Sequence, residues 1–451
     1  MMILLILITQ QMALILARMA RTNPLIRRVL LVFNSWWGIL LIYSFFSPYG
    51  GYKISTDAYF LIWIFILVFN AVFIFAKSKG YTGTTITKEG FSTNYSEKGI
   101  VRQYDILILE NKIITGAICI AVIILIRYAI KYSTLISLGS ILNARNERYY
   151  VGGLFGTTLE LLFYNYVVSP FSFLFSFIIS FSLLYDRIKT KQFWLSVIGI
   201  ILYTYVGANR FPVVLLLVNI MYLWIIRSYY NRRKINGKSV SRFIRVVIIF
   251  CVGIFGMSYI TAFRRGMIGF SLDAVIDNFD ILSNQMLGYS IGPLSGFSYL
   301  LDSDIMRNHW FAGRAVVLNG IDELFTYILS IIGIHIPCAK NVLGAIANEQ
   351  YVIGNRSMNA LFTCIYWFFS DFGYIGVVIF SGLFAWVEKK MVSRFVNAPN
   401  IFSLMLATHV LYFMFMSNMI WQINNVDSLL YMLIICLLNK KVAKIGYVDA
   451  D

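Results

Sequence analysis

The sequence predicts an all-α integral membrane protein, one polytopic unit over residues 1–451 with about 11–12 transmembrane helices and one large extracytoplasmic loop. Three observations predict it. The chain of 451 residues is 59% hydrophobic and only 13% charged, against roughly 25% charged residues in soluble globular domains. Apolar stretches recur at about 17–25 residues, the length that crosses a ~30 Å hydrocarbon core. The loops between them alternate, without a break, between heavy and light Lys/Arg content, as expected when basic short loops are retained in the cytoplasm. The net charge of +17 also fits a nucleic-acid binder. The excess lies mainly in short inter-helix loops, so it points to topology in a lipid bilayer and not to nucleic acid.

Taken in order, the expected spans are 2–17, 29–47, 58–76, 112–131, 165–185, 193–207, 212–229, 245–262, 370–388, 402–418 and 424–439. The first run, Met2 to Leu16, lacks a basic flank before it and is followed by Arg18. That pattern reads as a span with its N-terminus outside, not as a cleaved signal peptide. On this map 26 of the 38 Lys and Arg residues fall in cytoplasmic loops, 11 fall in outer loops, and Arg127 lies inside a span. Residues 78–111 form a polar cytoplasmic loop, read either as a connector or as a short strand-rich excursion. Residues 132–164 form the first outer loop. Residues 263–369 form the large outer loop, with amphipathic helical patches at Asp273–Leu287 and Asp322–Ile334. Five scattered cysteines (Cys119, Cys251, Cys338, Cys364 and Cys436) form no C-x-x-C pair and read as small apolar fillers.

The outer arginines are the lead to function, because charge bias does not explain them. Arg210 sits in the tight connection Gly207-Ala208-Asn209-Arg210-Phe211-Pro212, where Gly and Pro permit a sharp reversal. A guanidinium at that depth either meets a phosphate bidentately or snorkels to anchor a helix end. Arg264 and Arg265 lie where a span enters the large loop, in Thr261-Ala262-Phe263-Arg264-Arg265-Gly266, and read as diphosphate ligands or as headgroup contacts. Arg145 and Arg148 stand one helical turn apart in the first outer loop and can share a face. Gly152, Gly153 and Gly156 follow them. The large loop also holds Asp302, Asp304, His309, Asp322, Glu323, His335 and Glu349, any of which can serve as a base towards a hydroxyl. No D-x-D, H-E-x-x-H or Gly-rich phosphate loop is present and the three histidines are dispersed, so neither metal nor cofactor is expected. Arginines can neutralise a departing diphosphate without a metal.

The run from Asn359 through an aromatic stretch to Asp371-Phe372-Gly373-Tyr374-Ile375-Gly376 resembles the segment before the late spans of bacterial oligosaccharide repeat-unit polymerases, the Wzy-type polymerases of O-antigen and capsule. The Gly207–Pro212 turn is similar to that family's Gly/Arg turn, and Tyr289 with Gly292-Pro293-Leu294 is similar to another of its loop elements. The resemblance covers about residues 110–440 and rests on short motifs. It implies a glycosyltransferase fold like the GT-C class, in a multi-pass protein of the bacterial cytoplasmic membrane with its site on the outer face. Its donor and acceptor would be undecaprenyl-diphosphate-linked oligosaccharides, and its partners a flippase and a chain-length regulator. Arg210, Arg264 and Arg265 would hold the leaving diphosphate and Arg145 and Arg148 the second carrier. Tyr149, Tyr289 and Trp310 would stack on sugars, and Asp302 or Asp371 would act as base. For Asp371 a helix N-cap is the competing role. Two other functions stay open. An O-antigen ligase shares the architecture and would use a loop histidine, His309 or His335. A flippase would need charge inside the spans, which looks sparse here.

Overall fold

The structure is a computed structural model that describes residues 1–76, 97–139, 141, 143–144, 153–206, 208–230, 237–266, 271–303, 311–348, 351–358, 362–421, 423 and 425–445. In chain order its elements are α1 (Met2–Met19), α2 (Pro24–Phe46), α3 (Thr56–Phe75), α4 (Glu97–Tyr104), α5 (Lys112–Leu138), α6 (Thr158–Phe163) and α7 (Phe171–Leu184). There follow α8 (Lys191–Tyr205), α9 (Phe211–Tyr230), α10 (Gly237–Arg264), α11 (Leu272–Asp277), α12 (Phe279–Asp302), α13 (Asn319–Ile331) and α14 (Ala339–Asn348). A two-stranded hairpin, β1 (Tyr351–Ile353) and β2 (Arg356–Met358), precedes α15 (Cys364–Asn397), α16 (Ile401–Met416) and α17 (Val426–Ile445).

Each of the eleven expected spans falls on a helix. Among the described residues eight helices are long and apolar enough to cross a membrane: Met2–Met19, Pro24–Phe46, Thr56–Phe75, Lys112–Leu138, Leu159–Leu184, Phe211–Tyr229, Ile244–Arg264 and Cys364–Asn397. α8, α16 and the apolar part of α17 are shorter. The helix starts carry the signals that local chemistry demands, a side-chain oxygen taking an otherwise orphaned amide. Asn23 accepts from Leu25 N, Asn111 from Ile113 N and Ile114 N, and Thr157 from Glu160 N. Two findings differ from the sequence reading. Of the segment 78–111, residues 78–96 lie outside the described residues, and 97–109 are helical, as α4 followed by a wide π turn at Asp105–Leu109. The large loop contains α12, a helix of 24 residues that carries Pro293 and has a buried run over residues 291–298.

The chain forms two compact units. The first comprises residues 1–91, 285–398 and 413–426. In it α1 and α15 both pack on α3. The shared face is aromatic: Phe33 stacks on Phe69 at 4.0 Å, and Phe69 meets Phe384 at 5.4 Å. Inside this face Asn34 and Asn70 exchange two side-chain hydrogen bonds, at 2.8 and 3.0 Å, and each amide also donates to the carbonyl four residues before it. The pair therefore satisfies itself without water. α15 breaks at Phe372–Gly373, where Gly373 takes φ 59 and ψ −138, a conformation open to glycine. The hairpin docks on the Tyr49–Gly51 turn through Asn355 N to Gly50 O at 2.8 Å. Gly354 is required at its tip, because a Cβ there would lie 1.7 Å from that same oxygen.

The second unit comprises residues 92–284, 399–412 and 427–451. Here α7 packs between α8 and α9. A stripe of buried serines on α7 (Ser172, Ser176, Ser180) gives it a slim face, as expected where helices approach closely in membranes. Asn219 of α9 donates to Ser176 Oγ at 2.9 Å across that contact. Several basic residues assigned to the cytoplasmic side have local partners. Arg187 grips Asp105 through two bonds of 2.8 and 2.7 Å, Arg245 pairs with Asp186 at 2.7 Å, and Arg227 meets Glu97 and the Leu184 carbonyl.

The Asn34–Asn70 pair has a direct test. Asn34→Ala, Asn70→Ala and the double variant, melted in detergent, are expected to show a coupling of about 0.6–1.7 kcal/mol, the range measured for interhelical hydrogen bonds in membranes. Strict additivity would mean that the pair contributes nothing.

Candidate functional site

The arginine turn belongs to the second unit. α8 ends at Tyr205, and the chain reverses by hydrogen bonds from Ala208 N to Tyr205 O (3.0 Å) and Asn209 N to Thr204 O (2.8 Å). Ala208 takes φ 47 in this reversal, a left-handed conformation uncommon for a residue with a Cβ. Asn209 Oδ1 then accepts from Phe211 N, starting α9. Arg210 points inward, 6% exposed, and donates from Nη1 to Thr261 Oγ1 at 3.2 Å. Thr261 in turn donates to Met257 O on its own helix. One turn further along α10, Arg264 donates from Nε to Ala208 O at 2.7 Å. Arg265 is exposed and donates to Asn278 Oδ1 at 3.2 Å.

The fold thus brings Arg210 and Arg264 to one turn, tied to it by Thr261 and the Ala208 carbonyl, with Arg265 beside them. The three are not equivalent. Buried Arg210 adds charge from behind, while Arg264 and Arg265 lie nearer the surface. Guanidinium groups make their strongest hydrogen bonds to ionised oxygens. Arg145 and Arg148 lie outside the described residues, as do Tyr149, Asp304, His309, Trp310 and Glu349.

Tyr289 and Asp302 belong to the first unit. They stand 13 residues apart on α12, about 20 Å along a helix. The turn after α2 lies against this part of α12: Tyr49 packs beside Gly288 and Tyr289, and Tyr52 OH donates to Asp302 Oδ2 at 2.7 Å. Ser298 donates to the same oxygen at 3.3 Å. Asp302 is exposed, and its Oδ1 has no hydrogen-bond partner among the described residues. Tyr52 meets Tyr299 edge-on at 6.0 Å, and the Arg356 guanidinium lies 5.7 Å from the Tyr49 ring centre. Tyrosine faces, a carboxylate with one free oxygen and a guanidinium are the groups that hold a polar, ring-shaped ligand.

Asp371 lies seven residues into α15. It is fully buried in α15, and its two oxygens accept from Ala315 N at 3.0 Å and Val316 N at 2.8 Å. It does not cap the start of α15, which begins at Cys364. Both oxygens fasten the chain before α13, and the side chain is closed off from the surface. Asp322 is likewise structural, holding Arg314 bidentately at 2.8 and 3.1 Å and accepting from Ala339 N at 2.7 Å. His335 is exposed.

Sequence reasoning missed three groups. Asp427, at the start of α17, accepts from Ser169 Oγ at 2.8 Å, and Ser169 also meets Tyr203 OH at 2.6 Å. These residues are far apart in the chain and no motif links them. Glu388 is fully buried in α15 with no hydrogen-bond partner among the described residues, and Lys389, just past the expected span, is buried and donates to Ile74 O and Ala76 O at the end of α3. Their position at the tail of an apolar run made them look solvated. Arg127, read as a lone charge in a span, lies 3.4 Å from Glu160, which Lys131 also holds at 2.8 Å. Among the described residues no three His, Cys, Asp or Glu side chains converge as a metal site would need.

Comparison of the chain with family models, with curated proteins and with solved structures finds no match. The class that fold and composition define is a multi-pass, all-α membrane protein.

The Tyr52–Asp302 contact predicts a pH signature. Burial, and after it the hydrogen bond to Asp302, push the Tyr52 phenol up to about 12 from 10.0. The folded form therefore holds this proton more tightly than the unfolded chain. The contribution to stability is complete below pH 10 and is lost as pH rises towards 12. Melting temperatures of wild type and Tyr52→Phe should converge over that interval; a constant difference would mean that the phenol is not held by the carboxylate.

Proposed function

We propose that this protein is a glycosyltransferase that polymerises oligosaccharide repeat units carried on a polyprenyl diphosphate, at the outer face of the bacterial cytoplasmic membrane, for O-antigen or capsule. The observation that carries the reading is the gathering of Arg210, Arg264 and Arg265 at one helix end in a membrane protein. In the reaction the bond between the donor sugar and its diphosphate breaks as a bond to the acceptor hydroxyl forms. The acceptor proton passes to a carboxylate. The diphosphate leaves with added negative charge, which Arg264 and Arg265 meet by hydrogen bonds and Arg210 by its buried charge. Such stabilisation is stronger at the low dielectric of a membrane surface than in water, and it needs no sugar nucleotide and no metal.

Asp371 has both oxygens bonded to backbone amides, and Asp302 has one oxygen bonded by Tyr52 and Ser298. Tyr52 and Tyr289 supply ring faces for sugars. Arg145 and Arg148 are assigned to the second lipid carrier. The resemblance of Asn359–Gly376 and Gly207–Pro212 to the repeat-unit polymerases supports the same reading, as does an all-α membrane fold.

One observation favours a transporter of the same lipid-linked units: Glu388, a carboxyl buried in α15, is the kind of group that marks a path through a membrane. Exposed His335 keeps a ligase in view.

Complementation of a polymerase-null strain that makes the matching repeat unit separates these. Wild type should restore a ladder of surface glycan. Arg264→Ala and Arg210→Ala, at matched membrane levels, should reduce it to the single-unit band. A full ladder from both variants would leave the arginines as anchors, and no ladder from well-expressed wild type would point to the ligase or the transporter.

A further inference from the structure

α13 is built inside out. A helix of a water-soluble surface keeps its apolar stripe inward and its polar stripe outward. In α13 the inward positions are Asn319, Asp322 and Thr326, all buried, at the i, i+3, i+7 spacing of one face. The outward positions are Ile321, Leu324, Phe325, Tyr327, Ile328 and Ile331, each exposed by 43–69%. Ile332, Ile334 and Ile336 extend the exposed apolar surface past the helix end. A patch of this extent is rare where water is the neighbour.

The segment that leads into α13 is prepared for a place without water. Irregular backbone is tolerated at membrane depth only where the protein itself satisfies it. Phe311 N donates to Ser370 O, the amides of Ala315 and Val316 donate to buried Asp371, and Trp421 Nε1 donates to Val316 O. Arg314 is neutralised by Asp322 and also donates to Pro337 O at 2.8 Å. Ser370 and Asp371 lie six and seven residues into α15, about 10 Å past the start of a helix long and apolar enough to span. The chain before α13 is therefore fastened below the end of a spanning helix. With 13 residues, α13 is about 20 Å long, too short to cross a ~30 Å core.

We propose that α13 and residues 332–336 form a re-entrant segment embedded in the bilayer, its outward face covered by lipid acyl chains. The large loop is then not wholly aqueous. This inference rests on the membrane fold alone and does not depend on the polymerase reading.

Spin labels test it in the full-length protein in phospholipid vesicles, with Cys119, Cys251 and Cys436 replaced by Ala and buried Cys338 and Cys364 retained. Labels go singly at Ile321, Phe325 and Ile328, with Ile123, exposed on α5, as the lipid reference and Asn355, at the hairpin tip, as the aqueous one. Collision with oxygen reports hydrocarbon, and collision with a nickel chelate reports water. The ratio of oxygen to nickel accessibility at the α13 sites should match Ile123 and exceed that at Asn355 several-fold. A ratio like that of Asn355 would overturn the proposal. Low accessibility to both reagents would also overturn it, since a second protein surface, not lipid, would then cover the face. Three independent sites keep the test valid where one label disturbs folding.

Discussion

A hydrocarbon core offers no hydrogen bonds, so every backbone polar group within it must find a partner inside the protein. Much of this chain can be understood from that constraint. The helices meet it for most residues. Where helices end or break, side chains take over: Lys389 supplies the carbonyls at the end of α3, Asp371 the amides before α13, Asp322 the amide that opens α14 and Gln192 the Leu109 carbonyl at the end of a π turn. Buried charge is costly in such a medium, and these residues repay it by making several bonds each. The kink at Phe372–Gly373 follows directly after Asp371, so the break in α15 and the anchoring of the next segment occur together.

The same reasoning separates working charges from structural ones. A carboxylate whose oxygens are both taken by backbone amides is a fastening, which describes Asp371. Asp302 instead has Tyr52 and Ser298 on one oxygen and, among the described residues, no hydrogen-bond partner on the other. The arginines divide in the same way. Arg314, Arg187 and Arg227 are matched to acids of their own unit. Arg210, Arg264 and Arg265 donate to a hydroxyl, a carbonyl and an amide oxygen in turn. The ligand proposed for this turn is a lipid diphosphate.

How much was legible in the sequence follows from which signals are local. Span positions were legible because length and hydropathy are local properties, whereas the caps Asn23 and Thr157 put helix starts several residues before the expected spans. The arginine turn was legible because Gly207 and Pro212 bracket Arg210. What depends on distant contacts was not. Asp371 looked like a cap or a base until the amides of Ala315 and Val316 appeared opposite it. The triad of Ser169, Tyr203 and Asp427 joins three separate helices' ends. α12 escaped as a 24-residue helix because serines, glycines and Pro293 dilute its hydropathy. The amphipathic pattern near Asp322 was seen, but periodicity gives the two faces of a helix and not which one turns inward.

Binding of a short polyprenyl diphosphate to the purified protein tests the central claim, that the arginine turn is an oxyanion site for the carrier. Wild type and Arg264→Ala would be titrated at equal fold integrity, with Arg18→Ala as a variant that removes a basic residue elsewhere. A charge-assisted hydrogen bond contributes about 1.5–3 kcal/mol, so the account predicts a loss of about 10- to 100-fold for Arg264→Ala and little change for Arg18→Ala. Equal affinity in all three proteins would contradict it.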